Sequence, residues 1–384
     1  FVMERGDMKN SMEFYLHIPF CVKKCGYCDF LSGRASVQEQ NRYCEALLLE
    51  LSRCEIPAGT SVSTVFIGGG TPSVIDSEWI ICFLDRIRDR FSLEDHAEIT
   101  LEANPGTLTR EKLSDYKKAG VNRLSIGLQS ADDRELALLG RIHTYEEFLQ
   151  TYRTAREAGF DNINVDLMMA IPGQREASLR KTLSTVAALR PEHLSLYSLI
   201  IEPGTPFARK DPVLLDLPKE EEERRMYRES IDYLQEWGYV QYEISNFALP
   251  GRECRHNIGY WQRVPYRGFG LGAASLTGET RFSNTPDMEE YLRDCRSPQL
   301  LMRDREPLNR QAQMEEFMFL GLRLRKGVSA EAFRERFGIS LEEAYGQVIE
   351  RYCRMGLMGE EEGRVFLTLD GISVSNRILS DFLL

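Results

Sequence analysis

The chain has 384 residues, 42% of them apolar and 10% aromatic, a balance that excludes the disordered, collagen-like and membrane classes and allows a sizeable core. Lys and Arg total 48 against 59 Asp and Glu, and the net charge of −11 argues against charge-driven binding to nucleic acid. No apolar run reaches the roughly 18 residues of a spanning helix, and residues 1–13 have no apolar stretch of a secretory signal. The expected location is therefore the cytoplasm, with no transmembrane segment and with peripheral membrane contact left open.

In chain order, strand-like apolar runs at 14–18, 64–67, 98–102, 123–127, 162–168 and 193–200 alternate with segments of helical periodicity at 38–53, 77–90, 110–119, 144–158 and 178–189. Gly120 and Gly159 read as helix stops. Alternating strands and helices predict a parallel sheet, and six such units predict an α/β fold built as a partial or full barrel spanning 12–245. Functional residues of such barrels gather at the C-terminal ends of the strands. The cysteine loop, Gly68-Gly69-Gly70-Thr71-Pro72, Glu102-Ala103-Asn104-Pro105, Gln129 and Asp166 all follow or end apolar runs.

The charge run 219–225 reads as a solvated helix start. Residues 246–308 open with a Gly-, Tyr- and Pro-rich stretch without periodicity and are expected to form an irregular connection leaving the barrel. From 309 to 384, helical runs at 312–324, 330–337 and 341–355 precede a hairpin-like piece at 356–369 and a final helix from Ile372, a winged-helix-like pattern. Ten Lys and Arg against twelve Asp and Glu in that segment disfavour DNA reading.

Nine cysteines without an export signal give no reason to expect a disulfide framework. Six are scattered singly and read as ordinary buried thiols. The other three form Cys21-x3-Cys25-x2-Cys28 directly after a strand. Thiolates favour iron–sulfur clusters or zinc, but a closed zinc site needs four ligands, and only His17 lies nearby, where it is expected to pack or to orient the loop. Three ligands on a four-iron cluster leave one iron open, and Phe20, Tyr27 and Phe30 could shield it from water. A zinc knuckle completed by a distant residue is the alternative.

C-x3-C-x2-C after a first strand resembles the signature of the radical S-adenosylmethionine (SAM) superfamily. Residues 15–30, 66–72, 127–144, 166–174, 196–207, 243–261 and 367–376 together resemble the HemW family of heme chaperones, relatives of oxygen-independent coproporphyrinogen III oxidase. The resemblance implies a [4Fe–4S] cluster on Cys21, Cys25 and Cys28, and reductive cleavage of SAM bound at the open iron, fed by an electron donor. Gly69, Gly70 and Thr71 would let backbone approach the methionine part. Glu102 and Asp166 would accept hydrogen bonds from the ribose hydroxyls or the amino group. Arg141 would pair with the SAM carboxylate, and Gln129 would bond nearby. Tyr15 and the backbone of Ile200 join this set by similarity to the oxidase's SAM pockets.

Two features separate the chain from the oxidase in this reading. Phe30 stands where the oxidase pattern has a further cysteine, and only fourteen residues precede Tyr15, little room for the oxidase's longer N-terminal segment. His256-Asn257-Ile258-Gly259-Tyr260-Trp261 resembles the family's heme-associated H-N-x-x-Y-W motif, with His256 as the candidate axial ligand, Cys254 as a weaker one, and Tyr260 and Trp261 offering flat faces to a macrocycle. Gly268–Gly272 would allow close approach to a second SAM, to heme or to the barrel. The expected function is heme binding and delivery to acceptor proteins. An oxidase or methyltransferase acting on a tetrapyrrole is the enzyme alternative, and a non-catalytic scaffold is the third.

Overall fold

The structure is a computed structural model that describes residues 11–211 and 215–383. Six strands run parallel and side by side in chain order: β1 Ser11–Ile18, β2 Ser61–Gly69, β3 Ser92–Ala103, β4 Arg123–Gln129, β5 Ile163–Met169 and β6 His193–Ser198. Helices Val37–Arg53, Ser77–Arg90, Arg110–Lys118, Tyr145–Glu157 and Glu176–Ala187 connect them, within two residues of the expected bounds. Several start on a side-chain cap, with Ser36 and Thr144 completing capping boxes that satisfy the first free N–H groups.

Strand side chains alternate between two faces. The outer face carries Phe14, Leu16, Val65, Ile99, Leu124, Val165 and Leu194, all buried under the helices in one continuous core. The inner face carries Tyr15, Phe66, Glu102, Arg123, Ser125, Asn164, Asp166, Ser195 and Tyr197, which surround a cavity of about 200 Å³. Barrels filled for stability alone stack branched apolar residues inside. Here the interior is polar, and a polar interior is the mark of a binding chamber.

Residues 246–308 differ from the expected irregular connection. They supply β8 Asn246–Ala248, β9 Tyr266–Phe269, β10 Ala274–Thr277, β11 Thr280–Asn284 and β12 Met302–Pro307 to the same sheet, whose order is β12-β11-β10-β9-β1-β2-β3-β4-β5-β6-β8-β7, with β7 at Val240–Gln241. These strands are two to six residues long, too short to display the alternation that identifies a strand. The barrel is therefore partial, extended at both edges. Gly270 at the end of β9 settles what its glycine run serves: at φ +96° a Cβ there would lie 2.7 Å from the His17 carbonyl, so the close approach is to the barrel itself.

The C-terminal unit has its own core, built by Met318, Phe333, Tyr345 and Ile349 from helices Arg310–Gly321, Ala330–Phe337 and Leu341–Arg354 and by Phe382 after the last helix, with a three-stranded sheet ordered β13-β15-β14 (Val328–Ser329, Arg364–Leu367, Met358–Glu361). This is the expected winged-helix-like arrangement. Arg263, fully buried, donates to Glu316 at 2.7 Å and to Glu279 at 2.9 Å, tying the unit to the extended sheet.

Candidate functional site

The cysteine loop leaves β1 and is closed at its base by Cys21 N–H to the Gly33 carbonyl and Gly33 N–H to the Pro19 carbonyl, both 2.9 Å. Its far side is pinned by Gly26, which donates to the Leu139 carbonyl (3.2 Å) and accepts from Phe207 N–H (3.0 Å). A Cβ on Gly26 would lie 2.6 Å from the Phe207 ring, so only glycine fits. His17 orients the loop as expected: one ring nitrogen bonds the Leu31 carbonyl and the other the Tyr15 hydroxyl, each at 2.9 Å. Cys21, Cys25 and Cys28 are free, half-buried thiols.

Around the loop the strand ends converge. Gly70 and Thr71 donate backbone N–H to the Ile18 and Phe20 carbonyls (2.8 and 2.7 Å), and a Cβ on Gly70 would sit 2.6 Å from the Phe20 oxygen. The Thr71 hydroxyl reaches Cys21 Sγ at 3.5 Å and accepts from Asn104 Nδ2 at 2.7 Å. Arg141 spans the opening, with Nη1 3.6 Å from Cys25 Sγ and Nη2 2.6 Å from both Asn104 Oδ1 and the Gly127 carbonyl. Gln129 ends β4 at φ +77°, a strained backbone held by burial. Asp166 accepts from Asn164 and Ser125 (2.8 and 3.1 Å) and Glu102 from Gly69 N–H (3.0 Å). Ile200 lies at the rim, 67% exposed.

Burial, reinforced by Asp166, pushes the Glu102 carboxyl up to about 7. Because the folded value lies above the unfolded one, the carboxyl stabilises the fold below about pH 4.5 and loses that contribution as pH rises to about 7. The cofactor-free protein is expected to lose about 1–3 kcal/mol between those values, the cavity beside the carboxyl reducing the effect. Urea unfolding across that range checks it: Glu102→Gln should flatten this part of the profile, and an unchanged slope would contradict the assignment.

Two expectations are corrected. Phe30 is 65% exposed and Phe20 packs away from the thiols against Tyr43, so only Tyr27, against Phe207, is placed to shield them. The H-N-x-x-Y-W motif does not form an open heme-facing surface. It is helix Arg255–Trp261, docked under the barrel with Gly259 so close to Glu13 that a Cβ there would overlap the Glu13 carboxyl where it now sits. His256 is 2% exposed, bonds Thr64 Oγ1 through Nδ1 at 2.6 Å, stacks on Phe66, and lines the cavity from below with Nε2 unpartnered. Burial, then the Arg123 charge, lowers its pKa to about 3, so the imidazole is neutral. Trp261 already holds the Arg323 guanidinium over its ring, and Tyr260 meets His256 edge-on. Cys254 is fully buried, its thiol bonds Glu98, and burial raises its pKa. Asn104 stands among the strand-end residues without a role of its own, and Arg123 joins no candidate set, because a single strand-end amide and a strand-start arginine carry no spacing signal.

The Radical SAM superfamily pattern matches residues 15–186, and the HemN C-terminal domain pattern matches 308–374. The chain is 39% identical to the heme chaperone HemW of Bacillus subtilis (strain 168) over 372 residues, covering 96% of this chain and 98% of that one. The chain belongs to the HemW family of radical SAM proteins. HemW of Lactococcus lactis subsp. lactis (strain IL1403) is 37% identical over 96% of this chain and 97% of its own. The fold also matches coproporphyrinogen III oxidase (HemN) from Escherichia coli, a radical SAM enzyme, with a TM-score of 0.85 and 24% identity over 97% of this chain and 90% of that one.

Radical SAM proteins such as HemW carry a [4Fe–4S] cluster and SAM, and this HemW-family site fits both. Among the described residues no three His, Cys, Asp or Glu side chains converge on a point for a single metal ion. The side-chain-free backbone at Gly69 and Gly70 and the carboxyls of Glu102 and Asp166 suit the methionine and ribose parts.

Proposed function

We propose that the protein binds heme and passes it to acceptor proteins, carrying a [4Fe–4S] cluster on Cys21, Cys25 and Cys28 and SAM across the strand ends. The observation that carries this reading is the near full-length similarity to heme chaperones at 39% identity. When bound, the cluster and SAM supply reductive cleavage chemistry, drawing on an electron donor. The chain's own residues position those groups. Arg141 faces the thiols and can fork onto the SAM carboxylate, Gly69, Gly70 and Thr71 give close backbone approach, and Tyr15, Glu102, Gln129, Asp166 and the Ile200 backbone complete the pocket.

We assign 12–245 to the barrel and 309–384 to the C-terminal unit, and take the location as cytoplasmic. Among the described residues no helix is long and apolar enough to cross a membrane. His256 is the proposed heme ligand. Its neutral imidazole has Nε2 free, and ligation requires the barrel to open, because about 200 Å³ is below the roughly 300–1,000 Å³ of pockets that bury drug-sized ligands.

An anaerobic heme titration of cluster-reconstituted wild type and His256→Ala, followed by absorbance, tests the reading, with coproporphyrinogen III turnover assayed in parallel. Wild type should bind heme, His256→Ala at least about tenfold more weakly, without turnover. Equal binding by both would remove His256 from the site, no binding by wild type would remove the chaperone reading, and turnover would replace it with the oxidase.

A further inference from the structure

Arg123 begins β4 and points into the barrel, where it lines the central cavity while only 2% exposed. Its Nε is buried without a hydrogen-bond partner. Glu98 and Asp166 act on the guanidinium as nearby charges, but their oxygens are engaged elsewhere. Glu98 accepts from Cys254 Sγ and from the backbone N–H groups of Arg255 and His256 (3.5, 3.1 and 3.2 Å), and Asp166 from Ser125 and Asn164. A buried guanidinium with its Nε left without an acceptor is costly, and Arg is the side chain that grips a carboxylate through two parallel bonds. Asn257 and Tyr260 line the same floor and offer an amide and a hydroxyl beside it. The free Nε2 of His256 faces this chamber too.

We infer that Arg123 anchors a carboxylate-binding site on the floor of the barrel cavity, below the residues assigned to SAM. The carboxylate belongs either to a small free acid or to a propionate of a porphyrin. The porphyrin case rests on the heme-binding reading above, and the free-acid case does not.

The test uses full-length protein reconstituted with cluster and SAM under anaerobic conditions. Propionate and succinate are titrated by calorimetry, and heme and heme dimethyl ester, whose propionates are blocked, by absorbance. A free-acid site binds at least one acid, and Arg123→Gln weakens it about ten- to a hundredfold. A propionate site makes wild type bind heme about tenfold or more tighter than the ester, a preference that Arg123→Gln abolishes and Arg123→Lys partly keeps. If Arg123→Gln does not fold, the ester comparison on wild type and the loss of acid binding in Asn257→Ala decide in its place. Absence of acid binding together with equal affinity for heme and ester overturns the proposal, as does a substitution that weakens heme and ester equally. Failure of wild type to bind heme at all removes the chaperone reading and leaves acid binding to stand or fall alone.

Discussion

Single replacement of Cys21, Cys25 or Cys28 by Ala is expected to abolish cluster incorporation, seen as loss of iron, sulfide and visible absorbance after reconstitution, whereas Cys54→Ala retains all three. The contrast follows from placement. The three loop thiols are free and half-buried at the barrel mouth, beside Thr71 and Arg141. Cys54 is 4% exposed in the outer core, with its thiol bonded to the Glu55 carbonyl. A cluster held by three protein ligands has no spare thiolate to substitute for a lost one, so partial occupancy is not expected. Iron loss of equal extent in all four variants would mean that the substitutions act through the fold, and the ligand assignment would fail.

The loop and the parallel core were legible because they are local. Cysteine spacing is a contiguous pattern, and β1 to β6 combine an apolar outer face with a polar inner one over five or more residues, enough for the period to register. The strands after residue 246 escaped because each is short and draws its pairing from distant chain, as when β9 joins β1 through Glu13 opposite Tyr266. The helix Asp133–Leu139 escaped for its single pair of turns. His256 shows the limit of motif reading. Its sequence neighbours suggested flat aromatic faces for a macrocycle, but the helix is packed in through Gly259 meeting Glu13, two residues 246 positions apart. Arg123 read as the first residue of an apolar run, and nothing local says that its guanidinium is buried against the central cavity.

The same argument from distant chain predicts the largest stability effect. Glu50, on helix Val37–Arg53, is fully buried and accepts from Gly270 N–H at 2.9 Å, Asn284 Nδ2 at 2.8 Å and the Tyr291 hydroxyl at 2.8 Å, with Arg267 at 3.6 Å. Burial pushes the Glu50 pKa upward, while the Arg267 charge and the three donors favour the ionised carboxylate and oppose that rise. The side chain thus joins the first barrel helix to the extended edge of the sheet. Glu50→Ala strands the Arg267 charge, already partly unsatisfied at Nε and Nη2, together with three donors, and should cost about 3–5 kcal/mol in urea unfolding followed by tryptophan fluorescence. The paired Glu50→Leu, Arg267→Met variant removes both charges and should recover most of that loss, since well-packed apolar replacements of a buried pair are often neutral. The edge strands set the position of His17 through Tyr43, whose hydroxyl donates to the His17 carbonyl at 2.7 Å and accepts from Leu271 N–H at 3.0 Å. Glu50→Ala should therefore also lower cluster retention, and an unchanged unfolding midpoint with full cluster content would show that this network holds neither the sheet edge nor the loop.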